Sequence, residues 1–161
     1  MPTLAVTGHM DLTDDSVPLV RAALRELLAA YGSDLTGVSC IAAGADSLFA
    51  QEVSAVGGRL VVVIPSRDYR QRKVRPEGAA VFDRLVAAAV EVVTLPQETA
   101  DRGAYEAANS ELLRRADRLV AVWDGRPPAG KGGGTADTVV AARAAGIPVD
   151  VVWPEGVARR G

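Results

Sequence analysis

Two short segments carry residue types suited to holding an anion: Trp123-Asp124-Gly125, and Gly132-Gly133-Gly134-Thr135 a few residues later. The apolar run Leu119 to Trp123 supplies a strand, and Ala136 to Ala145 supplies a helix closed by Gly146. A helix start leaves its first N–H groups without partners and carries roughly half a positive charge, so a phosphate there meets both donors and field. Glycine lets the backbone approach without a Cβ in the way. Thr135 can cap the helix or turn its hydroxyl to the ligand. A flexible loop ending in a capped helix has the same residues, so the rest of the chain must discriminate.

Composition narrows the choice. A chain of 161 residues, 48% hydrophobic and 24% charged, can bury a proper core and reads as one domain over residues 1–161. Its net charge of -2 argues against a broad nucleic-acid surface, so nucleic acid is the unlikely partner. Cys40 lies in an apolar run, has no second cysteine to pair with and fits no metal-ligand spacing. The expectation is no metal and no cofactor. The first residues lack a basic flank and a long apolar core, and no apolar run is long enough to span a bilayer, which predicts a cytoplasmic protein without membrane contact.

The elements that must position these residues alternate. Short β-branched runs at Leu4 to Thr7, Val38 to Ala42, Leu60 to Ile64, Glu91 to Thr94, Leu119 to Trp123 and Val149 to Val152 read as strands. Alanine- and leucine-rich segments at Val17 to Tyr31, Asp46 to Val56, Glu77 to Ala89, Ala104 to Ala116 and Thr135 to Ala145 read as helices, the first capped by Asp14, Asp15 or Ser16. The pattern predicts an α/β three-layer α-β-α domain with a mainly parallel sheet of five or six strands. In such sheets ligands gather beyond the carboxyl ends of the strands. Gly8, His9 and Asp11 follow the first strand; Gly44, Ala45 and Asp46 the second; Pro65, Ser66 and Arg67 the third; Asp124 and Gly125 the fifth. The chemically distinctive residues therefore fall on one rim.

Thr7-Gly8-His9, Ala43-Gly44-Ala45-Asp46, Arg102 with Tyr105 and Asn109, and Ala116 to Gly125 with Gly133-Gly134-Thr135 resemble the SLOG superfamily. That Rossmann-like group includes LOG phosphoribohydrolases, the DNA-processing protein A fold, molybdenum-cofactor carriers and YpsA-type proteins. The resemblance implies a Rossmann-like fold, a nucleotide or nucleotide-derived ligand and a homodimer. It breaks where the LOG enzymes carry a glutamate three residues after the threonine, because Thr138 stands there. Asp137 is one residue earlier, and a shift by one turns a helical side chain by about 100°. Ala108 and Asn109 stand where the LOG helix has a basic pair, and the Asn109 pattern is closer to the YpsA-type branch. Binding carries over better than hydrolysis.

Individual residues keep alternatives open. His9 suits a hydrogen bond or stacking contact to a base or ribose, or is a solvent-facing turn residue. Asp46 can cap its helix or accept from a ribose hydroxyl. Asp124 and Asp137 are the catalytic candidates if N-glycosidic cleavage occurs, where paired carboxylates support an oxocarbenium-like state. Arg67 is the first choice for a phosphate clamp, with Arg102 next, while Arg70, Arg72, Lys73 and Arg75 read as a solvated, mobile face. Trp123, ahead of Trp153, can wall a base or fill the core. The ligand set is then Gly8, His9, Gly44, Ala45, Asp46, Arg67, Arg102, Asn109, Trp123, Gly125 and Gly132 to Thr135. The leading reading is a sensor or carrier of a nucleotide-like small molecule. The alternative is a nucleoside 5'-monophosphate phosphoribohydrolase releasing free base and ribose 5-phosphate, and a third is nucleic-acid attachment through the basic loop 67–75.

Overall fold

The computed structural model describes residues 1–130 and 134–161. Six strands, β1 (Thr3–Gly8), β2 (Thr36–Ser39), β3 (Arg59–Ile64), β4 (Glu91–Thr94), β5 (Arg118–Val122) and β6 (Val149–Val151), form one sheet in the order β4-β3-β2-β1-β5-β6. Every neighbouring pair is parallel. The helices are α1 (Ser16–Ala29), α2 (Ala45–Ala55), α3 (Tyr69–Lys73), α4 (Ala79–Ala88), α5 (Arg102–Arg115) and α6 (Thr135–Ala144). This is the doubly wound α/β, Rossmann-like architecture expected from the alternating pattern.

The central strands are apolar on both faces, as a sheet covered twice requires. Leu4, Val6, Val120 and Val122 point into a core shared with α1, α2 and α4. Ala5, Leu119 and Ala121 point the other way, against Ala108 and Leu112 of α5 and Val139 and Ala142 of α6. The chain adds β2, β3 and β4 on one side of β1, then returns through α5 to place β5 on the other side. The strand order therefore reverses between β1 and β5, and their carboxyl ends splay a crevice there.

Three local readings are corrected. β2 ends at Ser39, because Cys40 to Ala42 leave the sheet as a buried loop in which Ile41 takes φ +46°. A β-branched residue in the left-handed region is strained by about 1–3 kcal/mol, and Ser39 Oγ holds it by accepting the Ile41 N–H at 2.9 Å. The basic segment after β3 is ordered: Tyr69 is buried beside Phe82, and Tyr69–Lys73 form a short helix. At the start of α1, none of the three candidates caps through its side chain; Ser16 Oγ instead bonds Thr13 and Ala158. Among the described residues, no helix is long and apolar enough to cross a membrane.

Candidate functional site

At the strand-order reversal the structure encloses a cavity of about 350 Å³. Thr7 and Gly8 from the end of β1, Ala42 and Asp46 from the β2–α2 junction, Tyr69 and Lys73 from α3, Tyr105 and Asn109 from α5, and Gly134 and Thr135 from α6 line it. Five segments distant in sequence thus meet at one opening. A second cavity of about 360 Å³ lies behind Met10, Ala42, Tyr69 and Lys73, with Leu48 and Phe82 in its wall.

Glycine positions the two loops of the rim against each other. Gly44 adopts φ +79°, and a Cβ there would lie 2.7 Å from the His9 carbonyl oxygen and 2.9 Å from the Met10 Cα. A Cβ on Gly8 would run into Ala45 and Val122. Both glycines are required by close approach of the protein's own backbone and helix α2. Ala45 is buried in that contact and donates its N–H to the His9 carbonyl at 3.2 Å.

Asp46 does not cap α2; that helix begins at Gly44 without a side-chain cap. The residue is nine-tenths buried in the cavity lining, and the backbone N–H of Ala42 favours the charged form of its carboxyl group. Burial pushes it up to about 7 against the pull of that N–H. Among the described residues no lysine, arginine or histidine forms an ion pair with it. Burial also raises the neighbouring Cys40 thiol and Tyr69 hydroxyl, with the Asp46 charge adding to both.

His9 is 8% exposed, so it is no solvent-facing turn residue. Its Nε2 accepts the backbone N–H of Asp124 at 3.2 Å, and its ring meets Trp153 edge-on at 5.7 Å. Accepting at Nε2 assigns the proton to Nδ1. Burial lowers the His9 pKa, with the Arg159 charge adding to the effect, so the ring is neutral. Asp124 is committed elsewhere: its carboxylate accepts the Arg126 N–H at 3.0 Å and an Arg159 N–H at 3.4 Å. It lines a separate groove with Trp153 and Arg160. Asp137 accepts the Gly134 N–H at 3.1 Å at the start of α6 and lines a groove with Arg102, Glu106 and Asn109. The two catalytic candidates therefore sit in different grooves, outside the main cavity lining.

The charged candidates also separate. Arg67 is 63% exposed and pairs with Glu98 at 3.1 Å, while Arg102 pairs with Glu106 at 2.9 Å along the α5 surface. Neither lines the main cavity. Lys73, read from sequence as part of a solvated face, does, and it makes no ion pair among the described residues. Its signal was present in the sequence only as one of five cations in a loop; the turn of α3 singles it out. Trp123 is partly buried, packs against the α5–α6 core, donates its indole N–H to the Arg126 carbonyl, lies under Arg143 and lines none of these cavities. Gly125, at φ +83°, turns the chain away after β5 and lines none of these cavities. Gly132 and Gly133 lie outside the described residues.

No protein-family model and no curated protein matches the sequence. Solved structures do share the fold. DNA processing protein A from Streptococcus pneumoniae superposes with a TM-score of 0.71 at 17% identity, over 97% of this chain and 52% of that one. The protein TM1055 superposes at 0.59 with 22% identity, over 92% and 72%. The Moco carrier protein from Chlamydomonas reinhardtii superposes at 0.57 with 20% identity, over 96% and 78%. The chain spans about half the length of the first. These likenesses show the Rossmann-like fold that the alternating pattern implied.

Proposed function

We propose that the chain binds a nucleotide or nucleotide-derived small molecule in the cavity between the ends of β1 and β5, as a sensor or carrier. The observation that carries this reading is the cavity itself: about 350 Å³, at the strand-order reversal, with the buried Asp46 carboxyl inside and the start of α6 at its edge. That volume suits a mononucleotide-sized ligand. Lys73 and the Thr135 end of α6 give an anionic group a cation and a positive helix end. Tyr69, Tyr105 and Leu112 give a flat ring apolar contact. That one structural neighbour is a Moco carrier protein agrees with a small molecule held by this fold.

A binder is favoured over a phosphoribohydrolase by the carboxylates. N-glycosidic cleavage needs acidic groups flanking the ribose, yet the Asp124 carboxylate is held by the Arg126 N–H and Arg159, and that of Asp137 by the Gly134 amide. Two neighbours are DNA processing protein A structures, one described for its single-stranded DNA binding mode, so nucleic acid belongs in the test. In the basic loop, Arg67, Arg70 and Arg72 are each paired with a carboxylate. Val92 and Val151 stand exposed on the two edge strands, which supports a homodimer; light scattering of the purified protein reads that directly.

The test incubates the protein with a panel of nucleoside monophosphates and measures thermal shift and released base in the same samples. A shift without product is expected. Product identifies the hydrolase, and salt-dependent retention on single-stranded DNA without any nucleotide shift identifies the nucleic-acid reading.

A further inference from the structure

We infer that Asp46 reads the ring of the bound ligand and that this ring presents two adjacent N–H donors, as the N–H and amino group of a 2-amino-4-oxo heterocycle of the guanine type do. The inference rests on the small-molecule reading of the same cavity and adds what the ligand must be.

The argument starts from what surrounds the carboxyl group. Asp46 is nine-tenths buried and lines the cavity, and the Ala42 N–H favours the charged form of its carboxyl group. Ala42 follows a strained residue, Ile41 at φ +46°, pinned by Ser39. Asp46 also stands in the first turn of α2, where the helix field favours a negative charge. Both features support a carboxylate that accepts. A carboxylate has two oxygens and about four lone-pair positions. The residue lines a cavity whose wall also carries Cys40, Tyr69 and Tyr105. A ligand edge bringing two parallel N–H donors satisfies both oxygens. An edge offering one donor and one acceptor sets a ligand oxygen or nitrogen lone pair against a carboxylate oxygen.

The charge of Asp46 can be followed without interference from its neighbours. Burial raises the Cys40, Tyr69 and Tyr105 groups, so they stay protonated near neutral pH. His9 is lowered, Asp11 is lowered and paired with Arg159, and Lys73 lines the cavity. Asp46, at about 7, changes charge between pH 6 and pH 8.5. Recognition of a two-donor edge therefore strengthens as pH rises through that range.

Guanosine and inosine 5'-monophosphates differ only by the 2-amino group and isolate the second donor. Calorimetric titration at pH 8.5 is expected to give at least tenfold tighter binding of the guanosine nucleotide, shrinking to about twofold at pH 6. Asp46→Asn, which offers one donor and one acceptor at either pH, is expected to lose the preference at both while keeping its circular dichroism spectrum. Equal binding of the two nucleotides at pH 8.5 overturns the inference and leaves the site reading standing. A pH-dependent preference that survives in Asp46→Asn also overturns it, because another group then reads the ring. If neither nucleotide nor ribose 5-phosphate binds, the site reading fails and takes the inference with it.

Discussion

The Nε2 atom of His9 accepts the backbone N–H of Asp124 at 3.2 Å, a contact that joins the ends of β1 and β5 across the reversal of strand order. It fixes the crevice in which the cavity lies. The ring accepts this bond only when neutral at Nε2, and burial lowers its pKa below the ordinary histidine value of 6.5. A lowered histidine pKa means that the unfolded chain takes up the proton first as pH falls. Stability is thus full above about 6.5 and declines below it. His9→Gln, whose amide oxygen can take over as acceptor, is expected to remove that decline. Urea denaturation between pH 5 and 8 checks it; an unchanged pH slope in the variant contradicts the assignment.

Asp46 acts with the opposite sign. Its folded value of about 7 stands above the ordinary carboxylate value of 3.8, so the folded state holds the proton more tightly. The stability this contributes is complete below the unfolded value and is lost as pH rises through about 7. Asp46→Asn, which stays neutral, is expected to match the parent protein near pH 4 and to exceed it by roughly 2–4 kcal/mol at pH 8. Denaturation midpoints at the two pH values decide, and a variant no more stable at pH 8 counts against a buried carboxyl there.

Charge placement separates two readings of the basic segment. Lys73→Ala is expected to weaken nucleotide binding about tenfold, the scale of one charge-assisted contact to phosphate. Arg67→Ala, which breaks only the exposed pair with Glu98, is expected to leave affinity unchanged. The reverse ranking in calorimetry restores Arg67 as the clamp.

The start of α6 is contested by the protein's own Asp137, which holds the Gly134 amide. Asp137→Asn is expected to tighten phosphate binding several-fold by removing a negative charge beside the anion, at a stability cost of about 1 kcal/mol or less. Weaker binding in that variant would give Asp137 a direct role toward the ligand.

Gly44→Ala is expected to destabilise the fold by more than about 1 kcal/mol, because the left-handed backbone and the contact with the His9 carbonyl both reject a Cβ. Thermal melts of the purified variant read this; a neutral effect contradicts the close approach of the two rim loops.

The sheet was legible because its strands are buried on both faces, so Leu60 to Ile64 and Leu119 to Val122 read as uninterrupted apolar runs. The rim was legible as a set of loops, because the strand ends fall where glycine, histidine and aspartate interrupt those runs. What each side chain does there was not. The bond from Asp124 to His9 spans 115 positions, and no local pattern encodes it. Asp46 has the residue type and position of a helix cap, yet α2 starts without a side-chain cap and Asp46 is buried in the cavity lining. Lys73 and Arg67 are equivalent as letters; the helical turn from Tyr69, anchored in the core by its ring, sends one to the cavity and leaves the other at Glu98.

The central claim is that the cavity between β1 and β5 is where a ligand binds. Backbone amide NMR during titration with a nucleoside monophosphate tests it most directly. Saturable shifts are predicted at Gly8, Ala42, Asp46, Lys73 and Thr135, which surround the cavity. Shifts confined to Arg67, Arg70 and Arg102 on the outer surface, or none at millimolar nucleotide, would contradict it.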